Sequence, residues 1–207
     1  MTIDHYFYEP AKGHGLKHNP FKAIIAPRPI GWISTRSAAG VFNLAPYSYF
    51  NAFCDAPPII GFASSAEKKD SLRNVRETGE FAYNLVTHSL AEQMNATSAT
   101  VGPEVSEFGL AGLTPAASRI IAAPRVAESP VSFECKCTEI IQLKSASGEK
   151  IPSWLVLGEV VAVYIDKALL KNGDYDTAAA QHLGRAGGLG DYFWFDEARK
   201  LHLTRPA

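Results

Sequence analysis

Apolar positions recur at every second residue through much of the chain, a period that marks strands rather than helices. Ile30 to Thr35 reads as a strand, Arg36 to Gly40 as its turn and Val41 to Ala45 as the return strand. Tyr47 to Phe53 continues extended after Pro46, which lacks a ladder donor and so marks a sheet edge or a bulge. Asp55 to Pro58 is a turn and Ile59 to Ala63 a short buried strand. Phe81 to Val86, Val131 to Leu143 and Trp154 to Asp166 complete the set. The last carries VLGEVVAVYID, nearly all apolar, which predicts an interior place in the sheet.

Helical periods are few. In KKDSLRNVRETGEF, Asp70 or Ser71 can cap the free amides, Leu72 and Val75 begin an apolar stripe, and Gly79 stops the helix. Ser89 and Glu92 have the spacing of a capping box, with Leu90 and Met94 facing inward. From Thr97 to Pro130 the chain is irregular and punctuated by Pro103, Pro115, Pro124 and Pro130, a length typical of functional loops or covered interfaces. Its apolar residues Phe108, Leu110, Leu113, Ile120 and Ile121 need cover, from the chain's own barrel or from a second subunit. The strands, about seven, cluster rather than alternate with helices. The expected fold is therefore mainly β, a closed or nearly closed antiparallel barrel with peripheral helices.

Composition then removes several classes. Across 207 residues, 20 Lys and Arg are balanced by 21 Asp and Glu with no basic run, so no nucleic-acid partner is expected. No apolar run reaches bilayer length, and MTIDHYFYEP lacks the basic and apolar regions of a secretory signal. The expectation is a cytoplasmic protein with no membrane partner. Cys54, Cys135 and Cys137 make an odd count, which argues against a disulfide framework. In VSFECKCTEI both later thiols share an apolar strand face with Val131 and Phe133, while Ser132, Glu134, Lys136 and Thr138 take the other face. The thiols read as small hydrophobes rather than metal ligands. His14 and His18 have helical spacing for a metal, but Gly13, Gly15 and Pro20 make a helix there poor.

Candidate chemistry concentrates in the first half. Gly184, Gly187 and Gly190 do not form a dinucleotide fingerprint, and no strand precedes them. No nucleophile elbow is present, and neither His88 nor His182 has an obvious carboxylate partner nearby in the sequence. Strand WIST ends in Ser34 and Thr35; GFAS ends in Ser64 and Ser65, followed by Lys68, Lys69, Asp70 and Ser71 at a helix start. Hydroxyls, lysines and free helix amides together suit a phosphate. The competing reading is that Asp70 only caps its helix and the lysines are solvated. In NLAPYSYFN, donors at Ser48, Tyr49, Phe50 and Asn51 can line the polar edge of a ring system, with Trp32, Tyr49, Phe50 and Tyr192 on its faces. Aromatic residues in strands also serve as plain core.

Taken in order, PRPIGWIST, NLAPYSYFN, KKDSLRNVRETGEFAYNLV, ESPVSFECK and LVLGEV resemble the flavin-reductase-like FMN-binding family. That resemblance divides the chain into an N-terminal arm (1–19), a split-barrel domain (20–195) and a C-terminal tail (196–207). It implies a six-stranded, Greek-key antiparallel split barrel, a homodimer, and FMN near the subunit interface. By position it implies phosphate contacts from Ser34, Thr35, Ser65, Lys69, Asp70 and Ser71, with Ser48, Tyr49, Phe50 and Asn51 along the isoalloxazine. Arg28 and Trp32 border the site, and Arg185 and Tyr192 in LGRAGGLGDY approach the flavin or substrate side. His182, beside them, has no firm match. The implied activity is hydride transfer from NADH or NADPH to flavin and onward to a flavin-dependent monooxygenase partner or another acceptor. No side chain is expected to act as acid or base, and no metal is expected. The alternative is a non-catalytic FMN electron-transfer protein of the flavoredoxin kind. A split barrel holding another aromatic ligand, such as pyridoxal phosphate, is a third reading.

Overall fold

The computed structural model describes residues 3–206. Its main body is one antiparallel sheet of seven strands: β1 (Gly31–Arg36), β2 (Phe42–Tyr47), β3 (Phe50–Asp55), β4 (Pro58–Ser64), β5 (Glu80–Asn84), β6 (Val131–Lys144) and β7 (Lys150–Ile165). Their spatial order is β2-β1-β5-β6-β7-β4-β3. The hydrophobic pattern counts the same seven, one more than the six-stranded barrel the resemblance implies. Three pairs are hairpins, and the crossing from β4 to β5 passes over β7 and β6 in Greek-key fashion. Helix α1 (Asp70–Thr78) makes that crossing.

The sheet order explains the barrel. Its two outermost strands, β2 and β3, are joined by only Ser48 and Tyr49. Laid flat, seven strands would separate the edges by roughly 29 Å, whereas a short extended link spans roughly 10 Å. The sheet must roll until its edges meet. The amide of Ala63 on β4 donates to the carbonyl of Tyr49 at 2.8 Å, tying the link to the strand beside it. Pro46 lies on β2, an edge strand, as its missing donor requires.

Strand β1 is buried on both faces, which alternation alone does not foretell. Ile33 faces an inner cluster with Phe62, Leu72, Val75, Phe81, Cys135 and Val156. Trp32 faces an outer cluster with Leu44, Val86, Met94, Phe108 and Val126. Helix α2 (Ala91–Ala96) and the long irregular segment provide the outer cover. Phe108, Leu113 and Ile121 of that segment are buried against the chain's own barrel, while Leu110 and Ile120 stay exposed. Leu72 and Val75 form the expected stripe, and α1 ends at Gly79 in the left-handed conformation (φ 71°).

Two expected caps are absent. No side chain caps α1, whose preceding residue is Lys69; Asp70 instead pairs with Arg73 at 2.6 Å. Ser89 sits in a 3-10 turn (His88–Leu90) and bonds to the Thr87 hydroxyl at 2.9 Å, so no capping box forms with Glu92.

Two buried polar groups fasten the outer layer. The Asn84 amide donates to Ser34 Oγ and the Trp32 carbonyl, while its oxygen accepts from the Val126 amide and Ser132 Oγ. Glu134 is fully buried, although its strand face read as solvent-facing. Its carboxylate accepts the amides of Arg119 and Ile120 at 2.7 Å, Ile121 at 3.1 Å, and the Tyr164 hydroxyl at 2.5 Å. Burial alone would raise its pKa; those bonds outweigh burial and hold it below the ordinary glutamate value. Cys135 is buried and Cys137 packs against the same core, as the alternation predicts.

The ends of the domain meet. Arg28–Pro29 pairs with Leu183–Arg185, which pairs in turn with Tyr192–Trp194. No helix among the described residues is long and apolar enough to cross a membrane. Among those residues, no group of three His, Cys, Asp or Glu side chains could hold a metal ion.

Candidate cofactor site

The seam where the sheet edges meet opens into a cleft of about 370 Å³. One wall is edge strand β2 and its link, from Asn43 through Tyr49. The facing wall is Ser65, Lys68, Lys69, Asp70 and Ser71, at the start of α1. Thr97 to Val101 and Glu107 close a third side, and Lys22 enters from the N-terminal turn. The volume lies within the range of small-molecule sites.

Local structure makes this wall suited to an anion. The first-turn amides of α1 have no partner within the helix, and no side chain caps them. The positive end of the helix dipole is thus presented beside two lysines and two hydroxyls. Asp70, the one acid in this turn, is already paired with Arg73.

Deeper in the cleft the polar groups are wired together. Asn43 donates to Ser71 Oγ at 3.0 Å. Burial pushes the Tyr47 hydroxyl up to about 12, despite a hydrogen bond with Ser71, and the charges of Asp70 and Glu107 add to the rise. Tyr47 is therefore a neutral phenol at physiological pH. Glu107 accepts the Leu44 amide at 2.9 Å, yet burial pushes its pKa above the ordinary carboxylate value.

The residues expected at a site separate into several places. Ser48, Tyr49, Ser65, Lys69, Asp70 and Ser71 converge on the cleft. Ser34 and Thr35 do not open onto it: both are fully buried, Ser34 bonded to the Pro124 carbonyl and Asn84, Thr35 accepting from Asn74 of α1. Trp32 is also fully buried, its indole donating to Thr97 Oγ1 at 2.9 Å. It borders the cleft only through Thr97.

Phe50 and Asn51 line a second, largely apolar pocket of about 400 Å³ with Tyr83, Phe133, Tyr175 and His182. Phe50 stacks on Tyr83 at 5.0 Å with a 5° interplanar angle. His182 bonds to the Tyr175 hydroxyl at 2.7 Å, and burial lowers its pKa. Arg28 is buried and bonds to the main-chain carbonyls of Lys22, Ile25 and Ala186. Arg185 stacks on Tyr192 at 4.6 Å and bonds to the carbonyls of Leu189 and Asp191, which stiffens the glycine-rich turn.

Asn43 and Tyr47, within the NLAPYSYFN run, also line the cleft, though the resemblance assigned them no contact. Lys22, Thr97 to Val101 and Glu107 are cleft residues that sequence reasoning missed. They come from distant segments and carry no local signal.

Residues 25–180 match the family model described as flavin reductase like domain. A protein of Aquifex aeolicus is 36% identical over 170 residues, covering 80% of this chain and 83% of the relative. Nitrilotriacetate monooxygenase component B from Bacillus cereus is 29% identical in sequence and superposes with a TM-score of 0.85, covering 97% of this chain and all of that one. Pseudomonas fluorescens 2-nitrobenzoate 2-nitroreductase is also 29% identical, with a TM-score of 0.78 over 90% of this chain and 88% of that one. With its rolled seven-stranded sheet and the cleft at its seam, the chain belongs to the flavin reductase-like family of split-barrel proteins.

Proposed function

We propose that this protein binds FMN in the seam cleft and works as an NAD(P)H-dependent flavin reductase. The observation that carries the reading is the uncapped start of α1, which with Ser65, Lys68, Lys69 and Ser71 forms one wall of the cleft that the Ser48–Tyr49 link also lines. A terminal phosphate monoester suits that set of donors, and a neutral ligand leaves them unused.

FMN, when bound, supplies a hydride acceptor able to pass electrons onward. The chain's own residues bind and orient. Lys68, Lys69, Ser65 and the first amides of α1 hold the phosphate. Asn43 Oδ1 and Glu107 offer acceptors, and Tyr47 and Ser71 hydroxyls, for a polyhydroxyl chain. The Ser48–Tyr49 link and the residues after it run along the ring edge, with Phe50 held in place by its stack on Tyr83. Arg185 and Tyr192 shape the turn on the substrate side. The geometry asks no cleft side chain to act as acid or base, since hydride transfer needs proximity and a polar edge rather than proton transfer.

We further propose that the working unit is a homodimer. Tyr49, Phe53 and Val163 are all more than 40% exposed and lie beside the two pockets, where a second subunit gives them cover. The final acceptor is a flavin-dependent oxygenase; the support is the similarity to a monooxygenase component. The protein acts in the cytoplasm.

The test is direct. Apo-protein is mixed with FMN, desalted and scanned for retained flavin absorbance, then assayed for NADH and NADPH oxidation with FMN, FAD and riboflavin. Retained flavin with nicotinamide oxidation is expected. Retained flavin without oxidation by either nucleotide would replace the reductase with an electron carrier, and no retained flavin would remove the cofactor reading.

A further inference from the structure

Resting on that FMN reading, we infer that Lys22, from the short turn Phe21–Ile24 ahead of β1, is a phosphate ligand and sets the preference for FMN over riboflavin. Lys22 belongs to the short turn Phe21–Ile24, before the barrel and outside the family-matched residues 25–180. It nonetheless lines the cleft with Lys68, Lys69 and Ser71.

Three observations support a ligand role over a solvated surface lysine. The first is origin. Lys68 and Lys69 belong to the segment that starts α1, and Lys22 comes from a separate segment, so two parts of the chain bring cations to the lining of one cleft. A phosphate dianion there gains from each cation within reach.

The second is charge accounting. Lys12, ten residues before Lys22, is paired with Glu9 at 2.8 Å, and Arg73 is paired with Asp70 at 2.6 Å. Lys22 has no carboxylate within 4.0 Å among the described residues. Its charge is available to a ligand.

The third is the bracing of its backbone. The guanidinium of Arg28, only 6% exposed, donates to the carbonyls of Lys22 and Ile25 and to that of Ala186 across the domain. Among the described residues this buried arginine pairs with no carboxylate; by holding three main-chain carbonyls it fixes the turn. Its effect is to steady the backbone that carries Lys22 to the cleft, so that little order need be gained on binding.

The experiment measures flavin affinity, independent of turnover. Apo-protein is titrated with FMN and with riboflavin by quenching of flavin fluorescence, at low and at high salt. For Lys22→Ala, FMN affinity is expected to fall about tenfold, in line with one partly exposed charge-assisted contact, with riboflavin affinity unchanged. The gap between variant and wild type should narrow at high salt. Lys22→Arg should restore most of the preference, and Lys12→Ala should leave it untouched. An FMN-to-riboflavin ratio in Lys22→Ala equal to the wild-type ratio overturns the inference and leaves the FMN reading standing. Wild-type protein that binds neither flavin, or both equally, overturns the FMN reading and the inference with it.

Discussion

Replacing Glu134 by glutamine tests whether the outer layer hangs on one buried charge. The carboxylate accepts three amides and one phenol, four bonds shared by two oxygens. Glutamine keeps one oxygen and turns the other into a donor. At least one of the four groups then faces another donor, at a cost of about 1–3 kcal/mol, and the rest lose their charge assistance. The lower desolvation of a neutral group offsets part of this. The expected loss is about 3 kcal/mol at pH 7, or roughly 6–12 °C in Tm for a chain of this size. The pH dependence adds a second check. Because the folded pKa is depressed, the carboxylate's contribution is fully present above the unfolded value of about 4.3 and is lost as pH falls through the lower folded value. Urea melts of both proteins between neutral and acid pH should converge at the acid end. A variant within about 0.5 kcal/mol of wild type at neutral pH, well below the charge-assisted range, would refute the reasoning. So would a variant that keeps the full wild-type acid slope.

Two further substitutions probe the site's boundaries. Ser34→Ala should lower stability by about 1–2 kcal/mol, since its buried hydroxyl joins Pro124 to Asn84, and should leave FMN affinity unchanged. Loss of FMN with no loss of stability in that variant would instead place the hydroxyl at the phosphate. Glu107→Gln keeps an acceptor for the Leu44 amide but removes a buried charge. The folded pKa of Glu107 is raised, so wild-type stability carries a penalty that grows as pH rises from the unfolded value through the folded one. The glutamine variant should lose that slope and bind FMN more tightly at neutral pH; equal slopes and equal affinity would show that Glu107 does not feel the cleft.

Local patterns in the sequence carried the strands, because alternation follows from backbone geometry. They carried the α1 wall of the cleft for a similar reason: Ser65 to Ser71 combines a strand end, two lysines and a helix start within one short stretch. What they could not carry was cover from elsewhere. Glu134 sits on the polar face of VSFECKC, yet a segment some 14 residues upstream folds over it and supplies three amides. Ser34 and Thr35 looked like ligands because hydroxyls at a strand end are costly to bury alone, but Asn84 and Asn74 satisfy them internally. The uncapped start of α1 is the opposite case. Asp70 and Ser71 are good cap residues by type, and both are engaged elsewhere. Glu107 and Lys22 reach the cleft from positions 36 residues after and 49 residues before Ser71, respectively, distances at which only the fold decides what is adjacent.

The pairing of Arg28–Pro29 with Leu183–Arg185 has a consequence for the order in which a growing chain becomes competent. The ribosome releases Lys22 and Arg28 well before the strand and the Ala186 carbonyl that brace them. A nascent chain that has completed β7 already holds every strand of the rolled sheet and the start of α1. It still lacks the clasp that steadies the N-terminal turn. Sheet assembly and clasp closure are therefore separate events in time, the second waiting on a contact between residues 158 positions apart. Ordering of the Phe21–Ile24 turn is thereby deferred until the Leu183–Arg185 strand has joined it.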